Sequence, residues 1–324
     1  MPTTRALFES AALVAMLGAP LGMRVSAQAS PRTITVAPSG WHYAIVTRPA
    51  TVKGLLVLMP GYADAGDFGD FDGAPGISGL PVADAVARSG IATIMIAPPP
   101  GTLFGGADHQ QRMEQTLAWA ARELTSAPAL PIAVAGFSAG GTDAVLLAER
   151  CATGGCTMRH VVKAVATVDA PLDFERLWDA AAMTIGDSAS GGNVAEAHLM
   201  QQAIAAMTGG SPATHRAGYV SASPLLDHRP DGGNAHWLAH LVVRAYTEPD
   251  VQWWIDNRLA DYHQMNSTDA SALIKRLRMQ GNAGAELITT TGKGYRADGR
   301  RHPHSWSIVD QPGLATWVVH ALGT

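Results

Sequence analysis

Ser138 stands in Gly136-Phe137-Ser138-Ala139-Gly140, a G-x-S-x-G pattern. An apolar run at 132–135 precedes it and helical periodicity over 139–147 follows. A serine between such a strand and helix is held in a strained backbone conformation that pushes its hydroxyl into the open. Its neighbours must be small because other backbone passes close by, and Gly136, Gly140 and Gly141 meet that demand. The following helix points its N-terminus at the serine, so the Ala139 N–H is placed to donate to a developing oxyanion. The chemistry implied is nucleophilic. A serine hydroxyl attacks poorly unless a base takes its proton and later protonates the leaving group. Histidine suits both tasks because it titrates near neutrality. A buried carboxylate must then fix the imidazole tautomer and stabilise the imidazolium.

Positioning that serine takes a sheet. Residues 33–36 and 41–47 read as two strands joined through Pro38-Ser39-Gly40. The runs KGLLVLM (53–59) and IATIMIA (91–97) are nearly all apolar, as strands buried on both faces require. Further strands are expected at 161–168, 239–245 and 286–290. Helices are expected at 77–88, 108–124, 251–259, 271–280 and 314–322, the second with Met113, Leu117, Trp119 and Ala120 toward the core. Strands alternating with helices predict an α/β fold with a mostly parallel central sheet covered on both faces. Functional groups in such sheets gather at the carboxyl ends of the strands, where Met59, Ala97, Phe137 and Val168 lead into loops. From about 172 to 234 the strands stop. Helical patterns at 174–182 and 195–207 predict a helical insertion lying over the strand ends as a lid that shapes a pocket.

The 324 residues, 47% apolar and 15% charged, suit one large domain with a sizeable core. A net charge of −4 argues against nucleic acid or an anionic membrane surface as the main partner. Arg5, an apolar stretch at 11–23 and Ala27-Gln28-Ala29 read as a secretory leader over 1–29, with a mature domain over 30–324 that is secreted or periplasmic. The stretch is too short and too broken by Gly and Pro for a stable membrane span. Export permits a disulfide between Cys151 and Cys156, with two free thiols as the alternative. Asp64, Asp67, Asp70 and Asp72 do not have calcium-loop spacing and read as a solvated loop. Trp253-Trp254 reads either as a pocket wall or as plain packing.

The order of these elements, together with GFSAGG, the turn Met59-Pro60-Gly61-Tyr62 and a late acid followed by a histidine, resembles the α/β-hydrolase superfamily over about 33–322. The resemblance implies a serine nucleophile, a carboxylate and a histidine in that chain order, with no metal or organic cofactor. It places the base after the last strand and before the last helix, at His304, whose His304-Ser305-Trp306 is similar to the His-small-Trp endings of related hydrolases; His302 is the rival. It favours Asp250 as the acid, because Thr247-Glu248-Pro249-Asp250 is similar to the family's G-x-x-D turn with threonine in place of glycine. Glu248 and Asp169 are the alternatives, Asp169 because some members draw the acid from one strand earlier. Pro60-Gly61-Tyr62 occupies the place of the family's His-Gly-x turn, which makes the Tyr62 N–H the second oxyanion donor beside Ala139.

The expected activity is hydrolysis of a small-molecule acyl substrate by a serine hydrolase, a carboxylic ester leading. A peptidase resembling prolyl-oligopeptidase catalytic domains and a deacetylase of acetylated polysaccharide are alternatives. The rival of another class is a non-catalytic binding protein on the same scaffold, whose hallmark would be a lost nucleophile, base or acid. Nothing in the sequence speaks to oligomeric state.

Overall fold

In Gly54–Met59 (β3) every residue is buried, and the side chains alternate between two cores. Leu55, Val57 and Met59 face one hydrophobic cluster, while Leu56 and Leu58 face another. Such a strand must lie inside a sheet covered on both sides. Removing each of these leucines from water contributes roughly 2 kcal/mol. The structure is a computed structural model that describes residues 33–62, 68–71, 80–127, 129–187 and 193–324. The expected leader and Asp64, Asp67 and Asp72 lie outside the described residues.

The remaining strands are Thr35–Val36 (β1), His42–Thr47 (β2), Ile91–Ala97 (β4), Pro131–Phe137 (β5), Val161–Val168 (β6), Val242–Thr247 (β7) and Ala285–Thr289 (β8). They form one eight-stranded sheet in the order β1-β2-β4-β3-β5-β6-β7-β8. The pairs β1/β2 and β2/β4 are antiparallel, and the five other pairings are parallel. The chain steps from β3 outward to β4, then returns to place β5 on the other side of β3. That reversal opens a crevice at the carboxyl ends of β3 and β5, where α/β sheets receive their ligands.

Five helices cover the two faces. Ala107–Leu124 (α2), Ala139–Ala152 (α3) and Ser267–Met279 (α8) pack on one, through Met113, Leu117, Val145 and Leu273. Pro81–Ala87 (α1) and Gln311–Leu322 (α9) pack on the other, through Val82, Val86, Leu314 and Val318. Val251–Arg258 (α7) follows β7 and buries no residue fully. Trp119 departs from the expected core set. It is 40% exposed, with Arg122 over its ring, and the buried face of α2 takes Thr116 and Ala121 instead.

Between β6 and β7 the described residues hold three α-helices, Phe174–Gly186 (α4), Asn193–Thr208 (α5) and Arg216–Ala222 (α6), and no strand. They make a third apolar cluster, in which Phe174, Leu177, Ile204 and Tyr219 meet Leu103, Phe104 and Ala139. The insertion therefore packs against the first residue after Ser138. A disulfide joins Cys151 to Cys156 at the far end of α3. Among the described residues no helix is long and apolar enough to cross a membrane.

Candidate active site

Ser138 has φ 52° and ψ −123°, outside the conformations that ordinary residues favour. Its N–H donates to the Val168 carbonyl at 3.0 Å, which pins the turn to the neighbouring strand. A side chain at Gly136 would collide with the Gly140 carbonyl, and one at Gly140 with the Pro60 and Met59 carbonyls. Those glycines let three backbone segments converge beneath the serine.

The imidazole of His304 bridges two groups that are far apart in sequence. Its Nε2 lies 2.9 Å from Ser138 Oγ and its Nδ1 lies 2.7 Å from Asp169 Oδ2. His304 is partly exposed, whereas the Asp169 side chain is 7% exposed. The Thr247 hydroxyl donates to the other carboxylate oxygen, Oδ1, at 3.0 Å. Phe137 packs its ring against His304, with centroids 4.7 Å apart.

The acid expected from the sequence, Asp250, is not at this site. Asp250 caps α7: its Oδ1 accepts from Trp253 N at 3.0 Å, and its Oδ2 takes Arg301 Nη1 at 2.6 Å. The Trp253 amide, then Arg301, hold its pKa below the usual carboxylate value. Glu248 is buried and equally engaged, accepting from Thr290 Oγ1, Gly292 N and Arg301 Nη2. The Thr247-Glu248-Pro249-Asp250 turn thus anchors the loop that carries His304 through Arg301. Asp169, one strand earlier, takes the carboxylate position. A signal for this was present, since Asp250 immediately precedes a helix and Asp is a favoured N-cap residue. Thr247 carried no legible signal, because only its place opposite the end of β6 brings it to Asp169.

His302 is also elsewhere. Its ring packs on Trp253 and Trp254, with centroids 4.5 and 5.5 Å away, and its Nδ1 accepts from His304 N. Burial, then the charges of Arg296, His304 and Arg258, push its pKa down to about 3. The Trp pair accordingly packs on this histidine. Neither ring lines the cavity beside Ser138.

Gly61 abuts the serine, for a side chain there would come 3.1 Å from Ser138 Cβ. The Gly61 N–H donates to Asp70 Oδ2 at 2.8 Å, so Asp70 shapes this turn. Tyr62 follows and lines the same cavity as Ser138. Ala139, with its N–H, stands at the first position of α3, next to Ser138. The cavity has a volume of about 970 Å³. Ser138, His304 and Trp306 line one part, and the 290–298 segment, including Lys293 and Arg296, another; Glu196 of the insertion also reaches it. Among the described residues no cluster of three or more His, Cys, Asp or Glu side chains could hold a metal ion.

An eight-stranded, mostly parallel sheet with helices on both faces and a strained serine at its switch point is the α/β-hydrolase fold. Solved structures share it. A lipase in its open form aligns with 14% identity over 91% of this chain and 99% of its own, at a TM-score of 0.50. A mutant form of an esterase aligns with 16% identity over 91% of this chain and 86% of its own, also at 0.50. No family model and no curated protein matches the sequence.

Proposed function

We propose that this protein is a serine hydrolase that cleaves a carboxylic ester by acyl transfer. The observation that carries the reading is the unbroken line from Ser138 Oγ through His304 to Asp169, opening into a cavity of small-molecule size. Ser138 Oγ attacks the ester carbonyl carbon while His304 Nε2 takes its proton. The carbonyl oxygen, now negative, receives the Tyr62 and Ala139 N–H groups, and each such donor contributes about 3 kcal/mol to the transition state. His304 passes its proton to the departing alkoxide. Water then attacks the acyl-serine, giving a proton to His304, which returns it to Ser138 as the acid leaves. Asp169 keeps the proton of His304 on Nδ1, so that Nε2 faces the serine as a base.

The lipase and the esterase among the structures that share the fold make a carboxylic ester the leading substrate class, with a peptide as the alternative. Export belongs to the same proposal, supported by the leader-like segment 1–29 and by the Cys151–Cys156 bond. The test is labelling of purified protein by a fluorophosphonate, together with turnover of p-nitrophenyl acetate, in the wild type, Ser138→Ala and His304→Ala. Labelling and turnover that need both residues are the expected result. A folded wild type that neither labels nor turns over the small ester would end the hydrolase reading.

A further inference from the structure

Asp169 has φ 45°, one of three non-glycine residues with positive φ among those described. Aspartate tolerates this left-handed conformation better than most residues, yet it still needs holding there. The backbone N–H of Asp169 donates to the Tyr246 carbonyl at 2.9 Å. Its carbonyl is held from a different element: Asn266 Nδ2 donates to it at 3.0 Å.

Asn266 is the N-cap residue of α8. An asparagine in that place ordinarily turns its side chain back to accept from the first helical amides. Here it makes no such bond. Its Oδ1 instead accepts from Arg176 Nη2 at 3.1 Å. Arginine can only donate, so the amide oxygen must face Arg176 and the amide nitrogen must face Asp169. Arg176 is itself buried, its side chain 7% exposed, in an ion pair with Asp269 of α8. Burial works against its charge, but the carboxylates of Asp269, Asp173 and Asp169 together outweigh it, so its pKa is raised. Asp269 Oδ2 also accepts from Leu172 N at 2.7 Å and Asp173 N at 3.1 Å. The first turn of α8 therefore grips both ends of the turn at 169–173.

We infer that Asn266 is a positioning residue for the acid of the active site: its side chain, oriented by Arg176, holds the Asp169 backbone in the conformation that aims the carboxylate at His304. The inference rests on the serine-hydrolase reading. It gives the insertion a second role, because Arg176 sits on its first helix, α4, and so ties that helix to the geometry of the acid.

Asn266→Asp and Asn266→Ala test it. The aspartate keeps the shape and offers Arg176 an acceptor but has no donor for the Asp169 carbonyl; the alanine removes both contacts. With p-nitrophenyl acetate, both variants are expected to lose about 10²-fold in kcat with KM little changed, the scale of an ångström of misplacement. The low-field proton resonance of His304 Nδ1 moves upfield in both. If Asn266→Asp instead keeps wild-type kcat and resonance while Asn266→Ala merely melts earlier, Asn266 is a packing residue and the inference is wrong. Should the alanine variant fail to fold, the aspartate variant decides alone. The resonance needs no turnover. A wild type that shows it but has no Ser138-dependent labelling refutes the hydrolase reading, and the response of the resonance to Asn266→Asp then judges the inference separately.

Discussion

Replacing Asp169 by asparagine should disable the site through the tautomer of His304 rather than through any loss of shape. In the wild type the carboxylate has one oxygen for His304 Nδ1, at 2.7 Å, and one for the Thr247 hydroxyl, at 3.0 Å. An asparagine has one oxygen and one NH2 for these two partners. Among the described residues Thr247 Oγ1 bonds only to this carboxylate, so it donates to the amide oxygen and turns the NH2 toward His304. Imidazole Nδ1 must then accept, its proton moves to Nε2, and the nitrogen facing Ser138 Oγ at 2.9 Å is no longer a base. A triad left with the wrong tautomer loses about 10⁴ in kcat. That factor corresponds to about 5.4 kcal/mol of transition-state stabilisation. Asp250→Asn, by contrast, keeps a good N-cap and weakens one partly exposed pair with Arg301, so it should cost no more than about 1 kcal/mol of stability. Its kcat should stay close to wild type, because its carboxylate serves Trp253 N and Arg301 rather than His304. The assay is kcat on p-nitrophenyl acetate, with urea unfolding to confirm that each variant is folded. Thr247→Val combined with Asp169→Asn frees the amide to rotate its oxygen toward His304, so the double variant should be faster than Asp169→Asn alone. If Asp250→Asn loses the 10⁴ and Asp169→Asn does not, the acid has been misassigned; a double variant no faster than the single one refutes the tautomer argument.

Arg301→Met leaves the buried carboxylate of Glu248 without its cation, and should lower unfolding free energy in urea by about 3 kcal/mol. Adding Glu248→Gln should recover part of that loss. Two histidines should tilt the pH dependence of stability in opposite directions. His302 has its folded pKa depressed to about 3, so the unfolded chain binds the proton first, and stability is lost as pH falls from about 6.5 toward 3. His302→Gln should flatten that acid limb. His109 lies 3.0 Å from Asp143, and although burial opposes its charge, Asp143 outweighs burial and raises its pKa. Its contribution is complete below about pH 6.5 and is lost as pH rises through the folded value, so His109→Gln should flatten the neutral-to-alkaline side of a Tm–pH curve. The Cys151–Cys156 bond closes a short loop, so reduction should cost about 2 kcal/mol, read as a lower Tm with reductant.

Most of the sheet was legible in the chain. Residues 91–97 could be read as a strand with its observed bounds because a strand buried on both faces must be apolar almost throughout. The strand at 161–168 also has its expected bounds, although Val161 and Lys163 at its start are exposed. α6 was not anticipated. Its seven residues, RAGYVSA, bury Tyr219 alone, too little to leave a periodic stripe.

The proposed nucleophile was legible in the same way, for Ser138 is marked by the glycines that convergent backbone demands, a local property that a local pattern carries. The proposed base, His304, was favoured over His302 by the place that the family resemblance gives it. The proposed acid is a different matter. Asp169, Glu248 and Asp250 all stand at strand ends with suitable chemistry, and each would serve if it faced the imidazole. Which one does so depends on where Arg301 lands when the 290–303 segment folds back, for it occupies Glu248 and Asp250 and leaves Asp169 for His304. Thr247, Asn266 and Arg176 complete that arrangement from two strand ends and two helices. The sequence by itself marked most of the strands and the serine through local pattern, and the family resemblance marked the proposed base. Only the tertiary structure brought Asp169 rather than Asp250 to that base, because competition among carboxylates for one arginine and one histidine is settled by proximity in space.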